Sequence, residues 1–203
     1  MYKLYGTRGA GSDVIEMLLK ELGQPYEFIS LAGEARQAPE FLKINPQGRI
    51  PALILADGRA LLESAAMVIH LTTIHPSALA PKPGTPEHAS FMQWLIFLSA
   101  NIYEADLRYF YPARFSADGE SAAPGIKEQA QIDMLKLFGQ CEQALNPGLV
   151  GKTITAADYY LLMLASWYPP NARALYQRYP KLAALAKTVM ARPAAADVLG
   201  EAA

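Results

Sequence analysis

Strand signals fill the first third of this chain and then stop, and no other feature constrains the fold as strongly. Tyr2 to Tyr5 is short, aromatic-rich and closed by Gly6, which predicts a strand. Ile15, Leu18, Leu19 and Leu22 follow at helical spacing, with Ser12 placed to cap that helix and Gly23 to end it. Tyr26 to Leu31 reads as a second strand, Pro39 to Ile44 as a short helix, and Ala52 to Leu55 as a third strand. Asp57-Gly58 supplies a tight turn back to a fourth strand at Ala60 to Leu62, and Ser64 opens a helix bearing Met67, Val68 and Leu71. The order βαβαββα requires one parallel crossover and then an antiparallel hairpin at the sheet edge.

Three prolines and a glycine crowd residues 76–84, and beyond them the apolar period is helical throughout. The expected layout is a mixed α/β domain at 1–76, a linker at 77–84 and an all-helical domain at 85–203. Phe91, Leu95, Leu98, Ile102 and Phe110 mark one long helix, and Ile126 to Leu145 a second. Thr155-Ala-Ala-Asp158 is a capping pattern, in which Asp158 reaches back to the amide of Thr155. Leu161 to Trp167 is apolar on nearly every side, so the helix it opens is expected to be central. Later helices break at Pro180 and Pro193, and the alanine-rich stretch from Ala194 to Ala203 reads as a frayed end.

Composition narrows the function classes. Eighteen basic against nineteen acidic residues give a net charge of −1, which speaks against an electrostatic nucleic-acid or acidic-lipid binder. Cys141 is the only cysteine, so no internal disulfide and no paired-cysteine redox motif can form. The three histidines, His70, His75 and His88, make no metal-binding set. No apolar run is long enough to span a membrane, and a reducing cytoplasm is the expected setting.

The chemistry is read from two stretches, GRIPALIL (48–55) and LLES (61–64). Pro51 cannot donate to a strand ladder. Either it simply starts the strand, or a cis Ile50-Pro51 bond turns the main chain of Ile50 outward to pair with an extended peptide. Glu63-Ser64 ends a strand and starts a helix. Free amides at a helix N-terminus suit a carboxylate, and a nearby carboxylate suits an ammonium, so an α-amino acid terminus fits both. The plainer alternative is an ordinary cap beside a solvated side chain.

These stretches, with TAAD at Thr155 to Asp158, resemble the cytosolic glutathione S-transferases over essentially the whole length. The resemblance implies a thioredoxin-like first domain and an all-helical second one. It implies a cis proline at Pro51, main-chain pairing of Ile50 with the cysteinyl part of glutathione, and a γ-glutamyl end held by Glu63 and Ser64. Arg49 is placed to reach the glycyl carboxylate, as are Lys43 and Arg36. The implied function is conjugation or reduction of small hydrophobic electrophiles by glutathione, a co-substrate, with no tightly bound cofactor. A homodimer is implied by analogy. The alternatives are a binding protein of this fold without turnover, or a glutathione-dependent isomerase.

A free thiol titrates near ~8.5, and lowering it by two units takes about 2.7 kcal/mol. A hydroxyl bonded to the thiolate contributes about 1.5–3 kcal/mol and a helix N-terminus about 0.3–1. The loop Tyr5 to Ser12 is where the family carries the activating residue. Here Gly11 stands at the position of the bacterial beta-type cysteine and Gly6 at that of its second tyrosine. The candidates are Ser12, Thr7, Tyr5 and the amides of Ala10 to Ser12, with Ser12 first; Tyr5 also reads as a strand residue facing the core. The pocket for the electrophile is expected between the domains, with Tyr103 as its polar residue.

Overall fold

A computed structural model describes residues 1–200, so Ala202 and Ala203 of the expected frayed end, with Glu201 before them, lie outside the described residues. The chain forms two compact units: Met1–Ala80 together with the residues from Met190 onward, and Pro81–Val189.

In the first unit, β1 (Tyr2–Gly6), α1 (Ser12–Glu21), β2 (Tyr26–Ser30), α2 (Pro39–Leu42), β3 (Ala52–Ile54), β4 (Ala60–Leu61) and α3 (Ser64–Ile74) follow the expected βαβαββα order. The sheet runs β2-β1-β3-β4. β1 and β2 are parallel, with Tyr2 opposite Tyr26. β3 is antiparallel to β1, with Ala52 opposite Tyr5 and Leu53 opposite Leu4. β4 closes the edge against β3, with Leu61 opposite Leu53. Leu4, Leu53, Val14, Ile15, Leu18, Met67, Val68 and Leu71 are buried and fill this unit. Full burial of each such side chain contributes about 1.5–3 kcal/mol.

The second unit contains α4 (Pro86–Phe97), α5 (Tyr103–Phe110), α6 (Ala123–Ala144), α7 (Ala156–Ser166), α8 (Ala172–Arg178) and α9 (Pro180–Met190). The expected long helix is present with one difference. Leu98–Ile102 winds as a π segment between α4 and α5. Such a segment accommodates one extra residue without ending the rod and re-aims every side chain after it. α7 is buried from Ala156 to Ala165, the central helix that the sequence implies. Its start is fixed by Asp158, whose carboxylate accepts from Thr155 N at 2.7 Å, Thr155 Oγ1 at 3.0 Å and Leu149 N at 2.8 Å.

α10 (Pro193–Leu199) packs on α1 within the first unit. The described part of the alanine-rich tail is therefore a docked helix rather than a frayed one: Ala194, Ala195, Val198 and Leu199 are buried. Lys20 pairs with Asp197 and Arg192 lies 3.5 Å from Glu21, which ties its two ends to α1.

Candidate functional site: one end of the first-unit sheet

The register decides what meets at the site. Tyr5 pairs with Ala52, so Pro51, just before β3, lies at the end of the sheet where β1 finishes at Gly6. Leu61 pairs with Leu53, so Glu63 leaves β4 at that same end. The loop Thr7–Gly11, the turn ending at Ile50-Pro51 and the start of α3 thus emerge together. Ser12, Thr7, Arg49, Ile50, Pro51, Glu63 and Ser64 are gathered at one end of one sheet. Tyr103 belongs to the second unit, where its ring meets that of Trp167 edge-on at 5.3 Å.

The Ile50-Pro51 bond is cis. Pro51 is buried and Ile50 is half-buried. No hydrogen bond engages the main chain of Ile50 among the described residues, while its neighbour Arg49 is fixed through its carbonyl by Asn45 Nδ2 at 2.7 Å. Asn45 is buried and its Oδ1 also takes the amide of Gln47 at 3.1 Å. One amide side chain thereby sets the turn that presents Ile50. The Arg49 side chain itself is exposed.

Glu63 has φ of 66°, the only positive φ outside glycine among the described residues. A residue of that kind in the left-handed region costs of order 1 kcal/mol or more and calls for a local reason. Its conformation makes Glu63, not Ser64, the N-cap of α3, while its side chain makes no cap hydrogen bond and stays exposed. Ser64 is the first helical residue and is buried. An exposed carboxylate thus stands next to the positive end of the α3 dipole, the pairing of charges that an amino acid terminus needs.

In the loop after β1 the two candidate hydroxyls are engaged with the main chain. Gly11, not Ser12, is the N-cap of α1. Ser12 is fully buried, its Oγ donates to Thr7 O at 2.8 Å and accepts from Thr7 N at 3.1 Å. Thr7 Oγ1 donates to Leu31 O. A hydroxyl has one proton, and both are committed to main-chain carbonyls. In this arrangement the two side chains brace the loop. Gly6 makes the brace possible, since a Cβ there would lie 2.3 Å from Ser12 Cβ. The main-chain amides of Gly11 and Ser12 have no hydrogen-bond partner among the described residues, while that of Ala10 faces the Asp13 carboxyl.

Residues that sequence reasoning passed over sit directly beneath. Asp13 is fully buried, takes the Gly9 amide on Oδ2 at 2.9 Å and leaves Oδ1 without a partner. Burial pushes its carboxyl up to about 7, against the lowering pull of the Gly9 hydrogen bond and of Arg8. Glu16, three residues on and also buried, accepts from Arg8 Nη2 at 3.0 Å and from Tyr26 Oη at 2.7 Å. Arg8 is therefore a structural partner: Nη1 lies 2.6 Å from Glu16 Oε2, and the guanidinium covers Phe28. In the sequence, an acid in the first turn of a helix reads as an ordinary complement to the helix dipole, so nothing flagged Asp13.

A thioredoxin-like sheet carrying a cis proline and an acid-bearing α3 start, followed by an all-helical unit, defines the class of glutathione-binding two-domain folds. The comparisons agree. Residues 4–82 match the family model "Glutathione S-transferase, N-terminal domain" and residues 106–200 match "Glutathione S-transferase, C-terminal domain". The GST-like protein YncG of Escherichia coli K12 is 30% identical over 175 residues, 83% of each chain. The chain belongs to the glutathione S-transferase family. The glutathione transferase URE2P6 of Phanerochaete chrysosporium, solved with oxidized glutathione, superposes with a TM-score of 0.85 at 29% identity, covering 98% of this chain and 95% of that one. A glutathione transferase homolog from Sulfitobacter, solved with bound glutathione, shares the fold with a TM-score of 0.90 at 24% identity over 100% of this chain and 98% of that one.

Proposed function

We propose that the protein is a glutathione transferase that binds the tripeptide at this end of the sheet and delivers its thiolate to a small hydrophobic electrophile. The observation that carries the reading is the convergence of three groups: the unpaired main chain of Ile50, the exposed carboxylate of Glu63 beside the α3 start, and the unpaired amides at the α1 start. The first pairs with the cysteinyl unit as an added strand. The second takes the γ-glutamyl ammonium and carboxylate. Arg49 is the cation available to the glycyl carboxylate.

The third group activates the sulfur. With the Ser12 and Thr7 hydroxyls holding the loop, stabilisation of the thiolate falls to the amides of Gly11 and Ser12 and the α1 dipole. The thiolate then attacks the electrophilic carbon, the carbon–sulfur bond forms, and the leaving group departs with its electron pair. Tyr103 is assigned to the electrophile, and the active form is a homodimer.

Calorimetry with reduced glutathione, followed by turnover of an activated aryl halide, tests the reading. Glu63→Gln should weaken binding by about 1.5–3 kcal/mol, the worth of a charged hydrogen bond. Wild-type protein that gives no heat with millimolar glutathione refutes it. A second reading, a binding protein without turnover, is favoured by the committed hydroxyls of Ser12 and Thr7. Tight glutathione binding with no consumption of any of a panel of electrophiles would select it.

A further inference from the structure

Two acidic side chains lie buried under the loop that would carry the sulfur, and among the described residues one cation, Arg8, serves them. Arg8 is committed to Glu16 through both guanidinium nitrogens. Asp13 is met by neutral donors alone, the amide of Gly9 at 2.9 Å and, more weakly, that of Ala10. Gly9 has φ of 73°, so the chain reverses there, and the Asp13 hydrogen bond fixes that reversal. The bond sets where the following amides, Gly11 and Ser12, are aimed.

The remaining groups around α1 leave this balance unchanged. β1 contributes Tyr2, Lys3 and Tyr5; α3 contributes His70; α10 contributes Asp197. Lys3 is paired with Glu27, Asp197 with Lys20, and the Tyr2 hydroxyl with His75. The charges acting on Asp13 are Arg8, which favours ionisation, and Glu16, which opposes it. An ionised Asp13 would hold a fully buried, unpartnered carboxylate oxygen immediately under the anion-binding amides.

We propose that Asp13 is the positioning residue of the thiol-activating loop: its protonated carboxyl holds Gly9 and Ala10 so that the Gly11 and Ser12 amides face the sulfur, and loss of that proton sets a buried negative charge against the thiolate. The assignment rests on the glutathione-transferase reading for its functional half only. Burial already places the Asp13 titration near neutrality, at about 7, so both forms occur in the working range. The thiolate then meets opposing demands as pH rises: its own ionisation improves while the loop beneath it turns less hospitable.

The test has two readouts. In the free protein, the nitrogen-15 NMR shift of the Gly9 amide is followed across neutral pH. It should titrate as a single group in wild type and stay flat in Asp13→Asn, which keeps an acceptor for Gly9 and cannot ionise. With glutathione bound, ultraviolet thiolate absorbance should show the wild-type thiol titrating about one unit higher once Asp13 is ionised, a tenfold loss of thiolate at fixed pH. Asp13→Asn should remove that drift, and Asp13→Ala should weaken glutathione at every pH. A wild-type Gly9 amide that does not titrate overturns the proposal. So does an Asn variant that binds as poorly as Ala, or one that keeps the wild-type drift. Wild-type protein that shows the Gly9 titration and binds no glutathione refutes the function and upholds the loop assignment.

Discussion

Gly6→Ala is a change of one methyl group that should reach the centre of the site. The added Cβ would lie 2.3 Å from Ser12 Cβ and 2.5 Å from Ser12 Oγ. Rotating the serine relieves only the second contact, because Cβ is fixed to the backbone of α1. The start of α1 must move away from the end of β1, and both bonds between Ser12 Oγ and Thr7 stretch. Overpacking costs about 1–3 kcal/mol. Two neutral hydrogen bonds add about 0.5–1.5 kcal/mol each. The expected loss is about 4 kcal/mol, read from urea titrations monitored by circular dichroism. Ser12→Gly removes the colliding atom and the same hydrogen bonds, so the double variant should be hardly worse than Ser12→Gly alone. The cycle should return a favourable coupling of at least 2 kcal/mol, within the range seen for contacting residues. Additive costs, or a Gly6→Ala protein as stable as wild type, would refute the packing account of why both residues are small.

Two further predictions concern buried carboxyls. Asp13 titrates near 7 when folded, against an ordinary value of 3.8. The folded chain therefore binds the extra proton between those limits, and stability falls as pH rises from about 4 to about 7, by at most ~4 kcal/mol, before levelling. Asp106, buried with both oxygens unpartnered, is raised in the same direction. Asp13→Asn should flatten its share of the slope in urea titrations at a series of pH values, and an unchanged slope would contradict the burial argument. Asp158→Ala removes the acceptor of three hydrogen bonds at the α7 start. It should cost about 3–5 kcal/mol, measured by thermal unfolding, as the buried donors lose a charged partner.

How much of this was legible in sequence follows from the range of each signal. The βαβαββα order was readable because its signs are local: apolar period, Asp57-Gly58, and residues that start and stop helices. The α7 cap was readable for the same reason, all its parts lying within four residues. The GRIPALIL and LLES stretches pointed to their residues, though only the strand register shows that they share one end of the sheet. The hydroxyls' hydrogen bonds to the main chain were hidden because they depend on orientation. Ser12 next to a helix start looks like a cap or an activator, and only its burial and its two bonds to Thr7 reveal that it turns inward. Asp13 was invisible because burial belongs to the tertiary structure, and a first-turn acid is ordinarily solvated. The π segment at Leu98–Ile102 left no mark, since a single extra residue barely disturbs an apolar stripe.

The docking of α10 bears on anyone who would dissect this molecule. Helix α10 covers α1, the helix that follows the loop after β1. Cutting the gene at the proline-rich connector would strip that cover from the amino-terminal half and leave the apolar side of Ala195, Val198 and Leu199 without its seat. An excised sheet would be a poor surrogate for ligand measurements.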